Sequence, residues 1–334
     1  MDRSSSHHKK QEGERNMDFG LHVGTRRVGA TPDGLQAIAK KTEEMGFSYL
    51  GFPDHVVIPS TVDSKYPYNN EGVWPAQDTG TCLEQLMTIA YVAAVTKKIR
   101  LLTSVLVLPH RAPVLTAKML ATADVLSKGR LTVGVGIGWM AEEIRVLDAM
   151  PFAKRAAGAE EYITAFRNLW TDQTPSFHGD LIDFESILFD PKPEQKPHPP
   201  IWMGGESKPA LDRTGRLADG WYPVIANPRH LLDSPTLYAT MLSKVKGLVQ
   251  RAGRPPGALD TALYAPWYQL GKPVAGRDGD RRPFTGHPEQ IAQDAQAYKV
   301  AGLNHLVIGF ESQSLSVSLE HIERFATEVM PLCT

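Results

Sequence analysis

The sequence is poor in cysteine: Cys82 and Cys333 are the only two in 334 residues. A pair so far apart supplies neither a disulfide framework nor a cysteine-rich metal site, and it fits thiols kept reduced in a cytoplasm. Charge of one sign is also missing. Lys and Arg number 36 against 37 Asp and Glu, a net charge of −1. That balance gives no reason to expect nucleic acid or an anionic membrane as partner. No run approaches the roughly 18 consecutive apolar residues of a spanning helix. HExxH and paired His/Cys spacings are absent, so no metal site is expected. GxSxG is absent too, and with it the nucleophile elbow of a serine hydrolase. The polar opening, "MDRSSSHHKKQEGERN", has no apolar h-region and is not a secretory signal. Residues 1–16 read as a disordered tail ahead of one domain spanning 17–334.

What the chain does have is alternation. Short apolar runs are each followed by a segment with helical spacing of apolar residues. "DFGLHV", "FSYLGFPD", "IRLLTSVLVL", the strand inside "GRLTVGVGIGWMAEE", "PIWMGGES", "DGWYPVI", "ALYAPWYQL" and "HLVIGF" are the eight strand candidates. Thr31 is placed to cap the first helix, with Pro32 in its first turn and Gly46 as its stop. The continuous apolar character of Ile99–Leu108 suits a strand buried on both faces of a parallel sheet. Eight strand-then-helix units predict an α/β fold, a closed (β/α)8 TIM barrel. An open doubly wound sheet is the alternative, but "HVGTRRVGATPDG" lacks the Gly-rich phosphate turn such a sheet carries after its first strand. Two stretches interrupt the pattern. Residues 55–81 form a long polar loop, expected to act as a lid. Residues 175–199 read as a hairpin and Pro-rich insertion.

In a barrel the chemistry sits where strands end, and several unusual residues fall there. His55, closing strand two in "PDH", can carry a proton near neutral pH. Asp54 is placed to orient its ring, although neighbouring side chains on an extended strand point apart. Gly134, Gly136 and Gly138 occupy alternate positions of strand four and share one face. An uncluttered face leaves room for a flat ligand, or for close packing inside the barrel. Trp139 and the carboxylates of Glu142 and Glu143 follow, and a carboxylate here also favours a helix N-terminus. Gly204, Gly205, Glu206 and Ser207 open a helix, where free amides and the helix dipole favour an anion; a tight capped turn is the plainer reading. Arg155 is able to fork a phosphate or carboxylate, with an ion pair to a neighbouring Glu as the more ordinary role. Trp74, His110, Trp139, Tyr264 and Trp267 are candidates for a substrate pocket.

Taken together, "GFPDHVVIPS", "LTSVLVLPHRAPVLTAKMLATADVLSKGR", "GRLTVGVGIGWMAEE", "PKPEQKPHPPIWMGGES" and "GRLADGWYPV" resemble the bacterial luciferase-like monooxygenase superfamily. They are most similar to its branch of coenzyme F-420-dependent oxidoreductases. The resemblance is strong over about residues 17–221 and looser beyond. It implies an eight-stranded barrel with an isoalloxazine or deazaflavin ring at its mouth, beside Ser104 and Val105. It also implies a non-proline cis peptide between those two residues. Gly136, Gly138 and Trp139 would border the ring, and Gly204 to Ser207 would take its phosphate. Asp54 and His55 would be the catalytic pair. Trp139 stands where deazaflavin dehydrogenases of the family often carry a Glu, which removes a carboxylate proton donor from that position. The expected activity is hydride transfer between coenzyme F-420 and a small organic substrate bound near Trp74, His110 and Trp267. A reduced-FMN monooxygenase inserting one oxygen atom from O2 is the alternative, and a non-enzymatic flavin-binding partner a third. A cytoplasmic homodimer follows by the same resemblance.

Overall fold

The structure is a computed structural model that describes residues 17–76, 80–255, 257–309 and 314–333. The expected N-terminal tail lies outside these residues, as do positions 77–79 of the expected lid loop. In chain order the strands are β1 (Asp18–His22), β2 (Tyr49–Phe52), β3 (Arg100–Thr103), β4 (Leu106–Val107), β5 (Leu131–Gly136), β6 (Phe177–His178), β7 (Asp183–Phe184), β8 (Ile201–Met203), β9 (Gly220–Trp221), β10 (Asp260–Ala265), β11 (Gln269–Leu270), β12 (Thr285–Gly286) and β13 (His305–Gly309). The α-helices are α1 (Pro32–Glu44), α2 (Gln85–Val95), α3 (Pro113–Leu126), α4 (Ala141–Leu147), α5 (Arg155–Thr171), α6 (Lys208–Leu217), α7 (Pro235–Arg251), α8 (Pro288–Val300) and α9 (Leu315–Arg324).

Parallel pairing runs β3–β2–β1–β13–β10–β9–β8–β5, and β5 returns to pair with both β3 and β4. The sheet therefore closes on itself. It is a (β/α)8 barrel whose third strand is divided in two. Local sequence chemistry sets the helix ends. Thr31 accepts a hydrogen bond from the Gly34 amide at 3.2 Å, Pro32 sits in the first turn of α1, and Gly46 stops the helix at φ +81°. Ser234 caps α7 through the Leu237 amide, and His287 and Gln290 form a reciprocal cap on α8. Each such cap satisfies amides that a helix start leaves open.

Two apolar cores result. The larger lies between barrel and helices. The smaller fills the barrel itself with Tyr49, Leu102, Trp202, Tyr222, Ala262 and Val307. Bulky side chains at that level close the barrel axis, so open space is left toward the C-terminal ends of the strands. Outside the barrel, β6 and β7 pair as a short antiparallel hairpin.

Strand three was expected to run unbroken from Ile99 to Leu108. It breaks between β3 and β4, and the expected cis bond is present at Ser104–Val105. Strand seven was expected to reach Leu270 but leaves the barrel after Ala265, and Gln269–Leu270 pairs instead with Thr285–Gly286. An apolar run cannot by itself show where hydrogen bonding to a barrel neighbour ends. Past Arg324 the last helix widens into one π-helical turn, Phe325–Val329.

Only Gly134 and Gly136 lie in β5; Gly138 falls two residues past its end at positive φ and does not share the expected strand face, and the broken strand explains all three. A Cβ on Gly134 would stand 2.2 Å from the Thr103 carbonyl oxygen, and one on Gly136 would stand 2.7 Å from Val105 Cγ2. Gly138 has φ +74°, and its Cβ would meet Val107 at 2.7 Å. Close packing, the alternative to an empty ligand face, thus accounts for all three. We expect Gly134→Ala to cost about 2–3 kcal/mol through overpacking against backbone. Urea unfolding measures it, and an unchanged midpoint would mean that β3 can draw back freely.

Candidate functional site

A cavity of about 890 Å³ occupies the C-terminal mouth of the barrel. Its walls come from the ends of β1, β2, β4, β5, β8 and β10 together with the loop after β2. Every residue singled out from the sequence for catalysis, cofactor or substrate lines this one space: Asp54 and His55; Ser104, Val105, Gly136, Gly138, Trp139 and Gly204 to Ser207; Trp74, His110 and Trp267.

Asp54 and His55 lie side by side in sequence but have different partners. Asp54 is buried. Arg111 forks onto it with two bonds of 2.8 Å, and the Val107 amide donates to it at 2.8 Å. Burial alone would raise its carboxyl pKa. The close ring of His110 and the bonds and charge of Arg111 outweigh that and hold it below the usual carboxylate range. His55 is oriented by Glu143, whose Oε2 lies 2.8 Å from Nδ1. The sequence reading gave that role to Asp54; the alternation of side chains along an extended segment takes it away. Glu143 Oε1 also accepts the Val56 and Val57 amides at 2.7 and 3.2 Å. Despite burial, these contacts and the nearby imidazoles hold its carboxyl below the ordinary value. The buried ring of His110 lies between the two carboxylates, 3.7 Å from Asp54 Oδ2 and 3.7 Å from Glu143 Oε2. Glu84 closes the chain of charges with a 2.5 Å contact to Arg111.

The loop after β2 covers one side of the mouth, and α4 holds it there. Glu142 accepts the Asp63 and Ser64 amides at 3.0 Å each, while Ser64 Oγ accepts the Ala141 amide at 3.0 Å. Both acids at the start of α4 therefore bind the loop. Trp74 packs at a tilt of 37° against His55, with ring centres 4.4 Å apart, and the Arg26 guanidinium lies 4.3 Å from its ring centre. Tyr66 and Trp74 each pack edge-on against Trp139, at 5.3 and 6.1 Å. Trp267 stands apart from this cluster, and its indole donates to the Pro283 carbonyl at 2.9 Å.

Across the cavity, Gly205 has φ +106° and turns the chain into α6. Ser207 occupies the N-cap position, but its hydroxyl makes no capping bond, so the first amides of α6 keep their donors. The Glu206 carboxylate is used inside the protein, accepting Val224 N at 2.7 Å and Asn227 Nδ2 at 2.6 Å. Burial nonetheless pushes this carboxyl up. Arg155 forms no ion pair with a glutamate among the described residues. It donates to the Phe152 carbonyl and lies over the Phe152 ring at 3.7 Å.

Glu143 stood out in the sequence only as an acid at a helix start, not as the partner of His55. Three contributors had no clear sequence signal, and one of them, Arg111, adjoins His110. His22 and Tyr222 look like ordinary strand residues until the barrel closes. His22 is buried at the end of β1 and stacks on Tyr264 at 4.6 Å, and Tyr222 shares a 2.8 Å hydroxyl bond with Ser104.

A family model described as luciferase-like monooxygenase matches residues 17–270. An uncharacterized protein of Mycobacterium tuberculosis is 32% identical over 289 residues, 84% of this chain and 96% of its own. The FMNH(2)-dependent dimethylsulfone monooxygenase of Pseudomonas putida is 39% identical over 131 residues, 39% of this chain and 36% of its own. Among solved structures, the coenzyme F-420-dependent tetrahydromethanopterin reductase of Methanopyrus kandleri superposes with a TM-score of 0.73 at 16% identity, covering 96% of this chain and all (100%) of that one. At that identity the likeness speaks to the fold alone. Among the described residues no group of His, Cys, Asp and Glu is arranged to hold a metal, and no helix is long and apolar enough to cross a membrane.

Burial pushes His22 down from its ordinary 6.5 to about 4, against a hydrogen bond with the Ser104 backbone that favours the proton. The unfolded chain therefore takes up a proton below 6.5 that the folded one refuses until about 4. The contribution is full above 6.5 and is lost as pH falls toward 4, by up to about 3 kcal/mol. Equilibrium unfolding across this window should slope in the wild type and flatten in His22→Gln. An identical slope in both proteins would locate the effect elsewhere.

Proposed function

The chain belongs to the luciferase-like monooxygenase family and is an oxidoreductase of that class, and within it we propose a coenzyme F-420-dependent enzyme that moves a hydride to or from a small organic molecule. One observation carries the reading: a single cavity joins an imidazole oriented by a buried carboxylate, at His55 and Glu143, to an uncapped helix start at Gly205–Ser207. The residues present fit a ring with a phosphate-bearing tail. The space of about 890 Å³ suffices for one. The open amides of α6 suit the phosphate, and the buried Arg213 Nε in the same wall lacks a partner.

When bound, the deazaflavin supplies or receives the hydride. The chain's own residues do the rest. A carboxylate only accepts hydrogen bonds, so Glu143 fixes the proton of His55 on Nδ1 and leaves Nε2 for the substrate. In the oxidising direction Nε2 takes the proton released as the hydride departs, and in the reducing direction it gives one. Glu143 accommodates the imidazolium so formed. Asp54, through Arg111 and the Val107 amide, holds the loop that carries His110. Trp74 and Trp139 screen the reacting region from water. We assign the substrate to the side of Trp74, His110 and Trp267.

The preference for the deazaflavin rests on the motifs within residues 51–224, which taken together resemble the F-420 branch. Two observations favour reduced FMN with O2 as a second reading: the 39% identical stretch shared with the dimethylsulfone monooxygenase, and Trp139 in place of a carboxylate. The same imidazole would then deliver a proton during oxygen insertion. The cytoplasmic location and homodimeric state belong to the same proposal.

Titration of the purified protein with each cofactor, followed by turnover with oxygen removed, separates the two readings. We expect F-420 to bind and turnover to persist without oxygen; turnover that stops without it would transfer the assignment to FMN. With an active substrate in hand, His55→Gln should lower kcat by roughly 10²–10⁴-fold while cofactor affinity stays within a few-fold. Unchanged kcat would remove His55 from proton transfer.

A further inference from the structure

His110 closes the 3-10 turn Leu108–His110 after β4 and is 5% exposed. It lines the cavity, as a substrate-pocket residue would, but its two ring nitrogens face acids. Nδ1 lies 3.7 Å from Asp54 Oδ2, and Nε2 lies 3.7 Å from Glu143 Oε2. Nδ1 is buried without a hydrogen-bond partner. A neutral imidazole carries one N–H and one lone pair. Between two carboxylates, either neutral tautomer turns its lone pair toward a negative charge. Only the doubly protonated ring turns an N–H toward each.

The groups around the ring supply that negative charge. Asp54 and His55 come from the segment after β2, Glu143 from the start of α4, and Cys82 and Glu84 from the chain before α2. Arg111 bonds Asp54 and Glu84. Glu143 has two amides and the His55 ring but, among the described residues, no bond to a lysine or arginine. Burial, reinforced by Glu143 and Asp54, pushes the Cys82 thiol up despite Arg26, so it stays protonated and adds no charge. From α5, Tyr162 donates its hydroxyl to the Arg111 carbonyl at 2.7 Å, and burial pushes that phenol up as well. In this cluster three carboxylates are thus met by one guanidinium. A buried carboxylate without a compensating cation is costly.

We propose that His110 is a positioning residue for proton transfer: it carries a standing positive charge between Asp54 and Glu143, and that charge keeps the His55 ring neutral and ready to accept a proton. The two rings meet at one atom, because Glu143 Oε2 is 2.8 Å from His55 Nδ1 and 3.7 Å from His110 Nε2. A cation already at that oxygen opposes a second one on His55. It also makes a proton gained by His55 easier to return. This deepens the functional reading above and rests on it for the role of His55 as proton carrier.

The test uses the full chain with nitrogen-15-labelled histidine, free of cofactor and substrate, and follows the ring nitrogens by NMR between about pH 5 and 9. Wild type, His110→Gln and His110→Lys are compared. In the wild type we expect the imidazolium signature at both nitrogens of His110 near neutral pH. Losing the cation in His110→Gln should move the protonation midpoint of His55 upward by about one pH unit or more. His110→Lys restores a charge without the ring and should bring the midpoint back toward the wild type. The exposed His178, in the β6–β7 hairpin, serves as control and should not move. A neutral His110 near neutral pH in the wild type would overturn the proposal, and so would an unchanged His55 midpoint in His110→Gln. If both variants disturb His55 alike and melt lower, the ring has a structural role and the proposal falls. Once a substrate is known, the acid limb of kcat/KM should follow the His55 midpoint. A limb that stays in place while the midpoint moves would uphold the charge on His110 and remove His55 from proton transfer.

Discussion

Glu143 is shielded from water, and both oxygens of its carboxylate are satisfied by groups from beyond its own helix. His55 engages one, and the Val56 and Val57 amides converge on the other. A buried carboxylate cannot stay ionised unless such partners replace its hydration. The same requirement fixes the start of α4 against the end of β2, gives His55 its ring orientation, and begins the covering loop. Glu142 continues the arrangement one residue earlier, where two more loop amides find an acceptor. A loop of this length would otherwise bring unsatisfied backbone groups to the cavity wall. Here the acids of the following helix supply the acceptors.

The electrostatics at the mouth are divided. On the β2 side, Asp54, Glu84 and Glu143 face Arg111 and the ring of His110. The bidentate contact of Arg111 with Asp54 fixes the chain around His110 as well as balancing charge. On the α6 side Ser207 leaves the first amides of the helix uncapped, and the Glu206 carboxylate is used by Val224 and Asn227. An acidic, imidazole-bearing side and an uncapped helix start thus share one cavity.

Below the cavity, Tyr49, Trp202 and Tyr222 close the barrel axis. The plug confines open space to the ends of the strands, and it joins the site directly, since Tyr222 bonds Ser104 at the break between β3 and β4. The position of that break depends on Gly134 and Gly136. With no side chain on them, β5 lets the divided strand lie against it. Packing inside the barrel and the shape of the site are therefore one feature of the fold.

Much of the fold was legible in the sequence, because repeated strand–helix units, caps such as Thr31, and the glycines of β5 are local signals. The candidate site was legible to the extent that its residues sit at strand ends: His55, His110 and Gly204 to Ser207 stand out without any contact information. The sequence by itself determined that a closed parallel barrel forms and that its candidate site residues gather at one rim, since periodicity and chain order suffice for both. Only the tertiary structure decided that Glu143, 88 residues from His55, is its partner and that Asp54 belongs to Arg111. Those facts depend on which side chains meet across the barrel and which groups find no partner when water is excluded. Neither spacing nor composition along a chain encodes distance across it.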